Sequence, residues 1–275
     1  MSESPTTVEV CKRISAASWR VFVYGPNNTT ELTSFGTAFA ITPGGILLTA
    51  RHVIAHSNGF YSDPILCINN DNTDARIFRP ITSRNLKLNT GAKETLPLPI
   101  DVVAMAPEES FQCNYLPLRK DHLAVGEDVI VAGYARDITY PLFFDEHIDT
   151  RYFEGLDLKT KLKTPTMRPL FIKKTMIGVC WNININNYPS VGIITTAAQY
   201  VYGTDLVEGA SGGPVVDLDG RIAAVISRRG GNKLPNFEIP TSDGSSIESL
   251  PAGSGTALSH HLITSMFSDS DLFYS

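Results

Sequence analysis

The chain is short of charge, cysteine and long apolar runs, and each shortage excludes something. Charged residues make up 19% of its 275 residues and hydrophobic residues 43%. Such a chain can bury a core and does not read as disordered. Basic residues are outnumbered, 23 Lys and Arg against 28 Asp and Glu, for a net charge of −5. With no basic stripe either, no nucleic-acid partner is expected. No stretch approaches the ~18–20 apolar residues of a spanning helix, so no membrane partner is expected. The opening Met-Ser-Glu-Ser-Pro lacks the basic and apolar regions of a secretory signal. A cytoplasmic protein is the resulting expectation. Cys11, Cys67, Cys113 and Cys180 lie far apart, and no pair has metal-ligand spacing. Buried free thiols are expected, with two long-range disulfides as the alternative.

What is present centres on Gly209-Ala210-Ser211-Gly212-Gly213-Pro214. Apolar runs flank it, and Asp219-Gly220 between Pro214–Leu218 and Arg221–Ser227 is a hairpin signal. Ser211 therefore sits on a glycine-crowded turn before a β-hairpin. Glycine permits positive φ and close approach of another backbone. A serine there, with N–H groups free beside it, is placed to attack a carbonyl and hold the resulting oxyanion.

The rest of the chain reads as many short strands with turns between them. Thr6 with Glu9 resembles a capping box, and Val10, Ile14 and Ala17 follow at helical spacing, so residues 7–17 are predicted helical. Strands are predicted at Trp19–Tyr24, Ser34–Ile41, Ile46–Ala50, Pro64–Asn69, Ala75–Ile81, Leu96–Met105, Gly126–Tyr134, Pro169–Trp181, Val191–Ala198 and Gly255–Leu258. Residues 136–166 are irregular, and 229–255 read as a long surface loop. A C-terminal helix is predicted over 259–268, with Leu262, Ile263, Met266 and Phe267 on one side. Strands in the middle and helices at the ends predict an all-β barrel or sandwich.

Three polar residues complete a chemical set. His52 follows the strand Ile46–Ala50, Asp101 opens the run Val102-Val103-Ala104-Met105, and Ser211 occupies the glycine turn. A hydroxyl needs a base to take its proton, and imidazole suits that task. The imidazole needs an acceptor on its other nitrogen to fix tautomer and orientation. The other histidines do not suggest metal. His260 and His261 are adjacent and point to different faces, and His56 lacks further ligands.

Thr49-Ala50-Arg51-His52, Asp101 with its apolar run, and Gly209–Pro214, in that order, resemble the motifs of the trypsin-like (chymotrypsin-fold) serine peptidases. The resemblance covers roughly residues 18–268. It implies two six-stranded antiparallel β-barrels with short N-terminal and C-terminal helices, the first over 18–118 and the second over 122–258, as one peptidase domain. It implies that Ser211 attacks, that His52 is base and then acid, and that Asp101 orients His52. The N–H groups of Gly209 and Ser211 would form the oxyanion hole. The substrate would be a protein or peptide, with no metal or organic cofactor.

The missing disulfide framework shifts the comparison toward the HtrA-like branch. That branch usually carries PDZ domains, and none is expected here. Ala210 supports the same shift, because the zymogen-activated branch places an aspartate there to pair with a newly cut N-terminus. By the same resemblance Asp205 would lie at the base of the pocket for the side chain preceding the cut, favouring Arg or Lys. An alternative alignment takes Asp205 out of that pocket. Ser227, Arg228 and Arg229 would edge the substrate cleft, and solvated arginines are the alternative; apolar or acidic preferences then stay open. Two alternatives to a working peptidase also stay open: activity conditional on a regulatory protein partner, and an inactive binding scaffold.

Overall fold

The computed structural model describes residues 4–24, 32–56, 59–60, 65–71, 73–89, 95–121, 123–134, 170–183, 191–197, 209–233, 239–240, 246–247 and 249–259. The chain opens with helix α1 (Thr7–Ala17). Its capping box is formed: the Glu9 N–H donates to Thr6 Oγ1 at 3.3 Å, and the Thr6 N–H donates to Glu9 Oε2 at 2.7 Å. Two of the otherwise orphaned N–H groups are thereby satisfied. Val10, Ile14 and Ala17 are fully buried.

Strands β1 (Ser18–Tyr24), β2 (Leu32–Ala40) and β3 (Leu47–Thr49) follow. Next come a single helical turn, α2 (Arg51–Ile54), and a small pair, β4 (Ala55–His56) with β5 (Gly59–Phe60). Then come β6 (Ile65–Asn69), β7 (Ala75–Asn89) and β8 (Thr95–Pro107). In the order β1-β2-β3-β8-β7-β6 these strands close a barrel. The second set is β9 (Asp128–Tyr134), β10 (Leu170–Ile183), β11 (Val191–Ala197), β12 (Pro214–Asp217) and β13 (Ile222–Lys233). After a short pair, β14 (Ile239–Pro240) with β15 (Ser246–Ile247), comes β16 (Ser249–Ser259). A second closed barrel runs β10-β11-β16-β13-β12-β9. The architecture is all-β, two six-stranded antiparallel barrels.

Strand alternation explains why so many strands are apolar on both faces. Leu47, Val103 and Met105 join a cluster made of first-barrel residues. Val129, Val131 and Ile226 belong to the second barrel's own cluster. Their neighbours Phe39, Leu48, Val102, Ala104, Ile130, Ala132 and Val225 form a third cluster with Val10, Ile14 and Ala17 of α1. That third cluster is the seam between the barrels, and α1 helps to fill it.

Three expectations need correction. The strand predicted to run to Ala50 ends at Thr49, and Arg51–Ile54 is helical. The Val53 N–H donates to the Ala50 oxygen at 3.1 Å, closing a turn in place of a strand ladder, with Val53 and Ile54 both buried. The long surface loop expected over 229–255 is replaced in part by strand: β13 runs on to Lys233 and pairs Gly231 with Pro251 and Lys233 with Ser249 of β16. Likewise β7 continues past Ile81 to pair Asn85–Asn89 with Thr95–Pro99 of β8. The β7 extension, Asn85-Leu86-Lys87-Leu88-Asn89, alternates polar and apolar residues, whereas the β13 extension, Arg228–Lys233, has no apolar residue and is defined by its pairing. Cys11, Cys67 and Cys113 are free thiols. Burial pushes the Cys113 thiol up to about 11. The C-terminal helix and residues 136–166 lie outside the described residues. Among the described residues no helix is long and apolar enough to cross a membrane.

Candidate active site

His52 rides on α2, which the buried Val53 and Ile54 anchor to the first barrel. Asp101 lies in the neighbouring strand β8, two residues before the Val103–Thr49 pair. The Asp101 carboxylate takes hold of His52 twice. Oδ1 accepts the His52 backbone N–H at 2.9 Å, and Oδ2 lies 2.8 Å from Nδ1. An ionised carboxylate can only accept, so Nδ1 carries a proton and a neutral ring keeps Nε2 as an acceptor. The His52 side chain is 40% exposed and that of Asp101 21%.

Ser227 supplies a third contact. Its hydroxyl donates to Asp101 Oδ2 at 2.5 Å, a distance typical of a charge-assisted bond. The β13–β16 ladder pairs Ile226 with Ala257 and Arg228 with Thr256 and skips Ser227. Ser227 is thus the extra residue of a β-bulge, a device that re-aims a side chain. Burial works to raise the Asp101 pKa. The hydrogen bond and charge of His52, the Ser227 hydroxyl and the His52 N–H outweigh it and hold the carboxyl below its ordinary value.

The second barrel contributes the turn that carries Ser211. Gly209 and Gly212 both have positive φ, 94° and 83°. A Cβ on Gly212 would come within 2.1 Å of the Thr37 carbonyl oxygen and 2.3 Å of Thr49 Oγ1, and one on Gly213 within 1.9 Å of the Ala132 oxygen. The turn is laced to its surroundings. The Gly212 N–H donates to the Ile226 oxygen at 2.7 Å, and the Ile226 N–H donates to the Gly213 oxygen at 2.8 Å. From the first barrel, the Thr37 N–H donates to the Ser211 oxygen at 2.9 Å, and Thr37 Oγ1 donates to the Gly209 oxygen at 2.9 Å. Among the described residues neither the Gly209 N–H nor the Ser211 N–H meets an acceptor.

His52, Asp101 and Ser227 are therefore brought together by direct bonds, with Ser211 joined to them through Ser227. The Ser211 hydroxyl donates to the Ser227 carbonyl at 3.3 Å. Among the described residues no hydrogen bond joins it to the His52 ring. Ser227, expected at the substrate edge, has its hydroxyl on Asp101. Arg228 and Arg229 follow it in β13, opposite Thr256 and Gly255, and their side chains lie outside the described residues, as does Asp205. Ala210 is buried, and a Cβ on Gly133 would strike its Cα at 2.5 Å, so this position is filled by packing. Thr37 carries no motif in the sequence. Its only signal there is a small polar residue inside a strand of small residues.

Several solved structures share this fold. The Rv3671c protease from M. tuberculosis in its active form matches with a TM-score of 0.57 and 15% identity, over 97% of this chain and 87% of that one. Its inactive form matches with a TM-score of 0.53 and 15% identity, over 98% and 97%. The HtrA-type protease AlgW, solved with a decapeptide, matches with a TM-score of 0.54 and 15% identity, over 98% and 69%. A comparison with curated proteins finds no match. The sequence pattern of the trypsin-like peptidase domain fits residues 36–225, a span that starts beside Thr37 and ends in β13. That is well over half of the chain, and the chain belongs to the trypsin-like peptidase domain family.

Proposed function

We infer that this protein is a serine endopeptidase acting through an acyl-enzyme. Ser211 Oγ attacks the scissile carbonyl, and His52 Nε2 takes its proton. The N–H groups of Gly209 and Ser211 receive the developing oxyanion. His52 then passes the proton to the leaving amine, and a water activated by His52 releases the acyl group. Asp101 holds the ring in the tautomer that leaves Nε2 free. The observation that carries this reading is the double hold of Asp101 on His52, at 2.9 and 2.8 Å. The protein acts on proteins or peptides, and its cleavage preference is tested by profiling wild type against Asp205→Ala. A lost preference for Arg and Lys would put Asp205 in the pocket; an unchanged profile would remove it.

A second reading, activity conditional on a partner or on substrate, is favoured by one observation. The Ser211 hydroxyl is turned to the Ser227 carbonyl. Catalytic hydrogen bonds are often loose before substrate binds, and the similar Rv3671c protease has been solved in active and inactive forms. A fluorophosphonate probe separates the readings. Labelling of the isolated chain that is lost in Ser211→Ala supports the plain enzyme, and labelling only after a protein substrate is added supports the conditional one. No labelling under either condition leaves the binding scaffold.

A further inference from the structure

Beyond its strand ladder Thr37 takes part in four hydrogen bonds, and two of them reach the serine turn. It lies in β2 of the first barrel and is fully buried. Its N–H donates to the Ser211 oxygen at 2.9 Å. Its hydroxyl donates to the Gly209 oxygen at 2.9 Å, across 172 residues of sequence. The same hydroxyl accepts the Tyr134 N–H at 2.8 Å, and its carbonyl accepts Thr49 Oγ1 at 2.7 Å.

The proton on that hydroxyl has only one place to go. A backbone N–H can only donate, so toward Tyr134 the oxygen must accept. A carbonyl can only accept, so toward Gly209 it must donate. One donor and one acceptor direction are both used, and the rotor has no second arrangement that satisfies both neighbours. The Gly209–Ala210 peptide plane and the Ser211 carbonyl are thus fixed from the opposite barrel by one residue. Those two peptide groups flank the N–H of Ser211, and Gly209 holds a φ of 94°.

We propose that Thr37 is a positioning residue that sets the oxyanion site of the second barrel from the first. The proposal rests on the reading of Ser211 as nucleophile. Thr37 touches neither substrate nor reacting atoms. It acts by holding the Gly209–Ser211 turn in the conformation that aims its N–H groups. Oxyanion stabilisation depends on donors held in place before the charge forms.

The test uses the full chain. End-point titration with a fluorophosphonate counts competent Ser211, and casein turnover divided by that count gives kcat per site. Thr37→Val keeps the shape and removes the hydroxyl. Its kcat per site is expected to fall roughly 10- to 100-fold with KM little changed, less than the loss of an oxyanion donor outright. Thr37→Ser keeps the hydroxyl and is expected to recover most of the turnover. A merely structural role would lower the titrated fraction and Tm and leave kcat per site at the wild-type value; that result overturns the proposal. If Thr37→Val does not fold, Thr37→Cys replaces it, since a buried thiol is a weaker donor of similar shape. Wild-type kcat per site in that variant overturns the proposal equally. A wild-type chain that never labels at Ser211 in the presence of casein overturns the nucleophile reading, and the role of Thr37 falls with it.

Discussion

Asp101 stays ionised against the pull of its own burial, and that balance makes its contribution depend on pH. The carboxyl is held below its ordinary 3.8 in the folded chain. A depressed carboxyl adds stability at pH above its unfolded value and loses it as pH falls through the folded value. The stability gap between wild type and Asp101→Asn is therefore expected to be constant near neutrality and to shrink as pH drops below 3.8; denaturant titrations at several pH values check it. A gap that widened toward acid would show the opposite sign. On the chemical side, Ser211→Ala is expected to lose on the order of 10⁶-fold in kcat, His52→Ala about as much, and the double variant little more, because such residues act as a unit. Peptide-hydrolysis assays on the three purified variants measure this. The pairing of His52 with Asp101 and the glycine turn at Ser211 were legible in the sequence because each residue sits in a distinctive local motif. Ser227's grip on Asp101 was not legible, because a bulge is a property of pairing with β16. The link from Thr37 to Gly209 was hidden for a similar reason: no local pattern marks a hydroxyl whose partner lies 172 residues away.

At the scale of elements, α1 is more than a lead-in to the first strand. Val10, Ile14 and Ala17 complete the cluster shared by Phe39, Leu48, Ile130 and Val225. Removing a buried Ile side chain costs about 2–5 kcal/mol, and Ile14→Ala is expected to fall in that range by thermal or denaturant unfolding. Trimming the chain before Trp19 is expected to lower Tm and to bring no gain in activity per titrated site. Ala210 offers no carboxylate to a new N-terminus, and the trimmed chain loses part of its seam. A large gain on trimming would point to activation by cutting. Most strands were legible as apolar runs bounded by turn residues, and α1 through its capping box. What escaped was built by other means. Helix α2 is a single turn closed by the Val53 N–H on the Ala50 oxygen, and the far parts of β7 and β13 are set by their pairing with β8 and β16.

At the scale of the molecule, the two barrels share a core and a site. The seam cluster draws on strands from both, and the serine turn of one is bonded to Thr37 of the other. A single cooperative transition is expected in denaturant, with fluorescence and far-UV circular dichroism coinciding; two separated transitions would mean that the barrels unfold independently. The double barrel was legible only through resemblance, since apolar runs alone left a sandwich equally open. The position of β16 between β11 and β13 also has a meaning in time. On the ribosome His52 and Asp101 emerge early, Ser211 much later, and Ser249–Ser259 later still. Until then β11 and β13 each lack a neighbour, and the Ile226 that braces the serine turn lacks Ala257 beside it. A chain halted at residue 248 is expected to hold His52, Asp101 and Ser211 and to take up no fluorophosphonate. On the proposed function, the order of synthesis would act as a safety catch, withholding the serine turn until the last strand is in place.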